Sequence, residues 1–211
     1  MRNLAKSLPL LCLILTGCWD KAEFVKPVSL GAREKTIVLK DCEYGDSTFH
    51  LISNVDYRLE ILSGEDWLTI TEAGADSICF SFPSNNGFKR SADIRLSYGH
   101  RIDDLKVKQP GKYEMRVELT EKSIEVPVEG GSYQVDVLTN VLQRDLCVEV
   151  SNARNVTDVS LVNNRIFFTV PPTGSFNPRI YTVTVYATDG WGERVEAVLE
   201  LHQKPKKLEN N

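Results

Sequence analysis

Cysteine and histidine are scarce in this chain, helical periodicity is almost absent, and charge of neither sign dominates. The cysteines include no Cys-x-x-Cys or Cys-x-x-His spacing, which excludes the common zinc-binding arrangements, so no metal site and no cofactor are expected. His50, His100 and His202 fall in separate strand or turn segments. Spacing gives none of them a Ser or Cys partner, and they read as structural or solvated imidazoles. Glu65-Asp66 and Asp103-Asp104 are adjacent carboxylates. Neighbours in a strand point to opposite faces, so these make poor acid–base pairs and read as solubilising groups. No catalytic residue is expected, and the chain does not read as an enzyme. The formal net charge is −4, and it becomes more acidic if Arg2 and Lys6 are removed with the N-terminus. That balance argues against a nucleic-acid partner, whose binding draws on clustered Lys and Arg. Lys204, Lys206 and Lys207 read as a solvated basic end.

What the N-terminus does contain is a basic start (Arg2, Lys6), an apolar run from Leu8 to Leu15, and Gly17 before Cys18. The run is too short to span a bilayer and has the build of a secretory signal peptide. Leu15-Thr16-Gly17-Cys18 resembles the lipobox of bacterial lipoproteins. The resemblance implies removal of residues 1–17, diacylation of the Cys18 thiol and acylation of the new amine. Three acyl chains at one residue bury tens of methylenes at roughly 0.8 kcal/mol each, an effectively permanent membrane anchor. Two other readings stay open: a secreted protein in which Cys18 is incidental, and a small integral anchor that keeps the segment. Residues 18–27 form a spacer in which Asp20 and Glu23 resemble the surface-export signals of Bacteroidetes lipoproteins. That likeness implies a lipid-anchored protein of the outer membrane, on the cell surface rather than the periplasmic face.

Beyond Cys18, three cysteines remain, Cys42, Cys79 and Cys147. An odd number cannot form a closed disulfide framework. A Cys42–Cys79 bridge and lone buried thiols are both open.

From Val28 onward the sequence is short alternating runs punctuated by turns, the pattern of strands with one buried and one wet face. The first half carries such runs at 36–39, 49–52, 57–61, 78–82, 92–96 and 105–107, and the second at 124–126, 133–137, 146–150, 166–170, 181–186 and 198–201. Six or seven strands in about eighty residues predict an immunoglobulin-like sandwich. Landmarks recur in order in both halves: Ser53-Asn54 with Thr139-Asn140, Arg90 with Arg179, and Gln109-Pro110 with Gln203-Lys204-Pro205. The expected fold is all-β, two tandem immunoglobulin-like β-sandwich domains over 28–112 and 113–205, followed by a tail at 206–211. Gly130-Gly131 lacks the lysine and helix of a phosphate loop and predicts a hairpin turn.

Asn54, Trp67-Leu68-Thr69-Ile70, Asn85-Asn86 ahead of Arg90-Ser91-Ala92-Asp93-Ile94, and the closing Val107-Lys108-Gln109-Pro110-Gly111 resemble the BACON domain (Bacteroidetes-associated carbohydrate-binding often N-terminal). The likeness covers about residues 28–112. Residues 113–205 resemble a diverged second copy in which Val159-Ser160-Leu161 stands where the Trp motif would be. The family implies glycan or mucin association within a polysaccharide-processing system.

Sugar recognition uses aromatic faces against pyranose rings, so the aromatics decide. Trp67 precedes an alternating run and reads as core. Trp191, between Gly190 and Gly192 at a predicted hairpin tip, is open to two readings, ligand contact or packing on a neighbouring loop. Phe88 and Phe176 occupy matching loops ahead of Arg90 and Arg179, either as ligand contacts or as plugs closing the loop. The expected function is a lipid-anchored, non-catalytic glycan- or mucin-associated binding module. The alternative is a rigid spacer or protein-interaction module that holds an envelope protein partner away from the outer membrane.

Overall fold

The computed structural model describes residues 26–207. The signal segment, Cys18, Asp20, Glu23 and the last residues of the tail lie outside them. The first half folds into β1 (Leu30–Ala32), β2 (Thr36–Val38), β3 (Gly45–Ser53), β4 (Arg58–Ser63), β5 (Thr69–Ala73), β6 (Ser77–Phe82), β7 (Arg90–Tyr98) and β8 (Arg101–Gln109). The second half gives β9 (Val117–Leu119), β10 (Ser123–Val126), β11 (Gly131–Thr139), β12 (Cys147–Val150), β13 (Thr157–Val162), β14 (Arg165–Val170), β15 (Arg179–Thr188) and β16 (Arg194–Gln203).

The first sandwich packs sheet β1-β3-β6-β5 on sheet β2-β8-β7-β4, and the second packs β9-β11-β14-β13 on β10-β16-β15-β12. The two orders are identical strand for strand. Even the pairings β2 with β8 and β10 with β16 are parallel in both. Alternation builds each core. Ala92, Ile94 and Leu96 of β7 face Phe49, Ile78 and Phe80 of the opposite sheet, and Val183 and Val185 of β15 face Val135, Ile166 and Phe168. A fully buried side chain of this kind stabilises by about 1.5–3 kcal/mol.

Each sandwich has eight strands where the alternating runs predict six or seven. The additions β1, β5, β9 and β13 are all edge strands of their sheets. An edge strand bonds one neighbour and is half wet, so it needs neither length nor strict alternation. Gly130-Gly131 is not a hairpin turn, because β10 and β11 belong to different sheets. The turn arches between sheets: Gly130 N–H donates to Pro127 C=O at 3.0 Å. Gly130 is in the left-handed region at φ 74°. A side chain there would collide with the Val170 carbonyl.

The repeated asparagines have the same physical task in both halves. Asn54 accepts the Ser29 N–H at 2.8 Å and donates to Pro27 C=O at 2.9 Å. Asn140 repeats this with Arg116 N–H at 2.8 Å and Glu114 C=O at 2.9 Å. Each amide thus fastens the segment that enters its sandwich. The cysteines are free thiols: Cys42 and Cys79 are half-buried and Cys147 is exposed. Cys147 therefore departs from the buried-thiol expectation.

Trp67 is 7% exposed and belongs to the first core. Its counterpart is identified by backbone bonding. Trp67 and Leu68 N–H groups donate to Gly64 C=O at 3.1 and 2.9 Å, and Asn155 and Val156 donate to Asn152 C=O at 3.1 and 3.0 Å. Asn155-Val156, not Val159-Ser160-Leu161, stands at the Trp position of the second sandwich. The latter triplet lies further along, in β13.

Candidate functional site

The functional geometry of the described residues gathers where the two sandwiches meet. The turn between β15 and β16 is closed by Asp189, whose N–H donates to Glu193 C=O at 2.9 Å and whose C=O accepts the Gly192 N–H at 3.0 Å. The Asp189 carboxylate also accepts the N–H groups of Trp191 and Glu193 at 2.8 and 2.9 Å. A short side-chain oxygen standing in for backbone in this way is the usual reason for Asp at a turn. Gly192 supplies the left-handed residue, at φ 83°.

This tip is seated on the start of β7. Gly190 N–H donates to Lys89 C=O at 3.2 Å, the Ser91 hydroxyl donates to Gly190 C=O at 2.6 Å, and the Trp191 indole N–H donates to Arg90 C=O at 3.1 Å. A Cβ on Gly190 would lie 2.6 Å from the Lys89 oxygen and 2.7 Å from Arg90 Cα. Close backbone approach is what requires glycine here.

Charge closes the joint. Lys89 Nζ lies 2.8 Å from Glu193, 3.4 Å from Glu114 and 3.9 Å from Asp189, and the Asp189 side chain is only 6% exposed. The bond to Glu193 holds the Lys89 ammonium above the ordinary lysine pKa, against an opposing effect of desolvation. The ammonium groups of Lys89 and Lys108 stand 5.3 and 5.4 Å from the Trp191 ring centroid, within cation–π range. Arg90 links the joint to the first core, with its guanidinium 4.3 Å from the Trp67 ring centroid and bonds to Gln109 Oε1 and Pro83 C=O. Burial lowers the Arg90 pKa, and Asp66 partly offsets it. Phe88, from the first sandwich, packs against the core cluster of the second.

The candidate ligand aromatics therefore separate. Trp191 is half-buried in the joint rather than free at a tip, and Phe88 is half-buried on the neighbouring sandwich. Phe176 is 58% exposed. The three are not brought together.

No family model matches the chain, and no curated protein matches it. Among solved structures, the titin Ig tandem domains A164-A165 are similar at 10% identity, over 85% of this chain and 98% of that one, with a TM-score of 0.32. A chimeric titin Z1Z2 tandem is similar at 13% identity, over 83% of this chain and 96% of that one, with a TM-score of 0.37. An endo-fucoidan hydrolase from glycoside hydrolase family 107 is similar at 12% identity over 88% of this chain, with a TM-score of 0.32. The chain spans 30% of that enzyme's length. At these identities and TM-scores the likenesses carry no argument about function; the strand orders above give the fold, a tandem of immunoglobulin-like β-sandwiches.

The remaining polar candidates stay apart. His50 lies 3.8 Å from Glu34, His202 lies 3.0 Å from Glu200, and His100 is exposed at the turn between β7 and β8. Asp103 accepts the Ala32 N–H at 2.8 Å and pairs with Lys35, while Asp104 pairs with Arg95 at 2.7 Å on the other face. That Arg95 bond holds the Asp104 carboxyl below the usual carboxylate range. No group of three or more His, Cys, Asp or Glu suited to a metal ion occurs among the described residues. The surface hollows are shallow, and one of about 330 Å³ is lined by Tyr44, Asp46, Thr69 and Phe82. Sequence reasoning passed over Lys89. Its acidic partner Glu193 lies 104 residues further along the chain, beyond the reach of local pattern.

Proposed function

We propose that this chain is a lipid-anchored, non-catalytic envelope protein whose two sandwiches form a rigid arm that holds a partner away from the outer membrane. One observation carries the reading: the aromatics best suited to stacking on a sugar, Trp191 and Phe88, are engaged between the sandwiches. A joint with three main-chain-directed hydrogen bonds, a buried carboxylate beside Lys89 and an inserted Phe resists the relative motion expected of loosely tethered domains. An anchor at Cys18 would put the first sandwich nearer the bilayer than the second. Cys18→Ala should abolish acylation and detergent-phase partitioning. A mutant that still partitions with membrane and is cut at the same place would remove the anchor from this account.

Glycan association, implied by the BACON resemblance, is a second reading favoured by one feature. Tyr44 is 79% exposed and lines a hollow with Asp46 and Phe82, which combines an aromatic face with a carboxylate. Titration of the lipid-free chain across a glycan array tests it. Binding that Tyr44→Ala removes without changing the melting temperature would support this reading, and no binding across the array would leave the arm alone.

A further inference from the structure

We infer that the outer end of the second sandwich, built around Phe176 and Ile180, is a docking surface for a β-sandwich module of another polypeptide, one that presents an acidic hairpin tip. The inference rests on the rigid-arm reading, in which the second sandwich is the one held further from the anchor.

Hydrogen bonds establish which positions of the two sandwiches correspond. In the first sandwich Asn85 N–H donates to Cys42 C=O at 2.7 Å, and Tyr113 N–H donates to Gly87 C=O at 3.2 Å. In the second, Thr173 N–H donates to Val128 C=O at 2.8 Å, and Lys206 N–H donates to Ser175 C=O at 2.7 Å. Gln109 reaches Pro83 C=O at 3.1 Å, and Gln203 reaches Pro171 C=O at 2.9 Å. The strand register matches Arg90 to Gln109 and Arg179 to Gln203. Phe176 therefore occupies the position of Phe88, and Ile180 that of Ser91.

The molecule itself shows what covers such a position. Over Phe88 and Ser91 sits the acidic β15–β16 tip of the next sandwich, with Asp189 and Glu193 against Lys89. Among the described residues nothing covers Phe176 and Ile180, which are 58% and 63% exposed. Pro178 and Pro205 flank Arg179 and Ile180 around a hollow of about 370 Å³. Replacing the serine by isoleucine makes this end more apolar than the one that is covered. The surrounding charge has the same sign in both places. Half-buried Lys89 and Lys108 ring the covered end, and at the open one exposed Arg179, Lys204 and Lys206 outnumber Glu125, which lines the hollow 3.9 Å from Lys204. A basic rim with an apolar centre complements an acidic tip carrying an aromatic.

A second copy of this chain does not fit. Its own acidic tip is already bound to Lys89. Its free counterpart, the β7–β8 turn at Tyr98-Gly99-His100-Arg101, brings positive charge to a positive rim. Like charges facing each other across an interface work against association.

The test places a photo-crosslinking amino acid at position 176 in the full-length lipidated protein in its own envelope, with position 138 as an exposed control. The expected result is one discrete adduct from position 176 and none from 138, whose second component contains a β-sandwich with an acidic hairpin. The adduct should fall about tenfold when Lys204 and Lys206 are both changed to Glu, with melting of the purified variant unchanged. An adduct of twice the chain's mass, an adduct with glycan or lipid only, an adduct indifferent to the charge reversal, or no adduct would overturn the inference. None of those outcomes alters the geometry between the two sandwiches, so the rigid-arm reading is judged separately.

Discussion

The two sandwiches share one strand order but fill the space beneath their matching Arg and Gln positions from opposite sides. In the first, Trp67 enters from the β4–β5 loop beneath Arg90, and the facing strand β7 offers only Ala92. In the second, the loop position is Asn155, and the aromatic comes from the strand: Tyr181, two residues after Arg179 as Ala92 is two after Arg90, is 5% exposed. Its hydroxyl lies 3.4 Å from Gln203 Oε1 and from Arg179. One large and one small residue have exchanged places across the core. Cores tolerate such exchanges when total volume and pattern are kept. The lesson is that loss of the Trp motif in the second half marks a repacked core of the same fold.

The largest effect that would break this comparison is expected at the Trp position. Trp67→Ala should cost the first sandwich about 3–5 kcal/mol, whereas Asn155→Ala in the second should stay within about 0.5 kcal/mol, both measured by urea denaturation. Equal costs would mean the two positions are not counterparts. The exchange can also be sharpened. Ala92→Tyr alone should overpack the first core by about 1–3 kcal/mol. In a Trp67→Asn background the same change should recover stability rather than lose more.

Smaller effects are expected at the joint. Trp191→Ala removes a half-buried indole and its bond to Arg90, so about 1–2 kcal/mol should be lost. Gly190→Ala should open the joint through its clash with Lys89 and Arg90, leaving each sandwich folded, visible as an increased radius of gyration in small-angle scattering. At the β7–β8 turn the corresponding Gly99 has open space around it, so Gly99→Ala leaves the scattering unchanged and costs only the strain of its φ of 56°.

The smallest effect concerns pH. The Lys89 pKa is raised above 10.5 by Glu193, so its contribution is fully present below that value and fades as pH rises through the raised pKa. Interdomain geometry should therefore be constant across neutral and mildly alkaline pH and loosen only in strong alkali. Lys89→Met should remove that alkaline transition.

Much of the fold was legible because alternation reports burial on one face, and β7, β8, β15 and β16 alternate over most of their lengths. The edge strands were not, since three residues such as Leu30–Ala32 or Val117–Leu119 carry too little pattern. Trp67 was legible as core from its place ahead of an alternating run. Trp191 was not settled by its glycines, which free the backbone at Gly192 but at Gly190 make room for another chain segment. That segment lies about a hundred residues away in sequence, and local pattern carries no information about it. Phe88 and Phe176 look alike in sequence for the same reason. Among the described residues they differ in that the second sandwich packs on Phe88 while Phe176 is exposed.

The central claim is that the joint is rigid, and the direct measurement is the distance distribution between spin labels at Glu60 and Cys147, taken on residues 18–211 with Cys18, Cys42 and Cys79 replaced by Ser. A single narrow distribution that broadens in Trp191→Ala and in Gly190→Ala is the expected result. A broad distribution in the parent chain, unaffected by either substitution, would contradict the rigid arm.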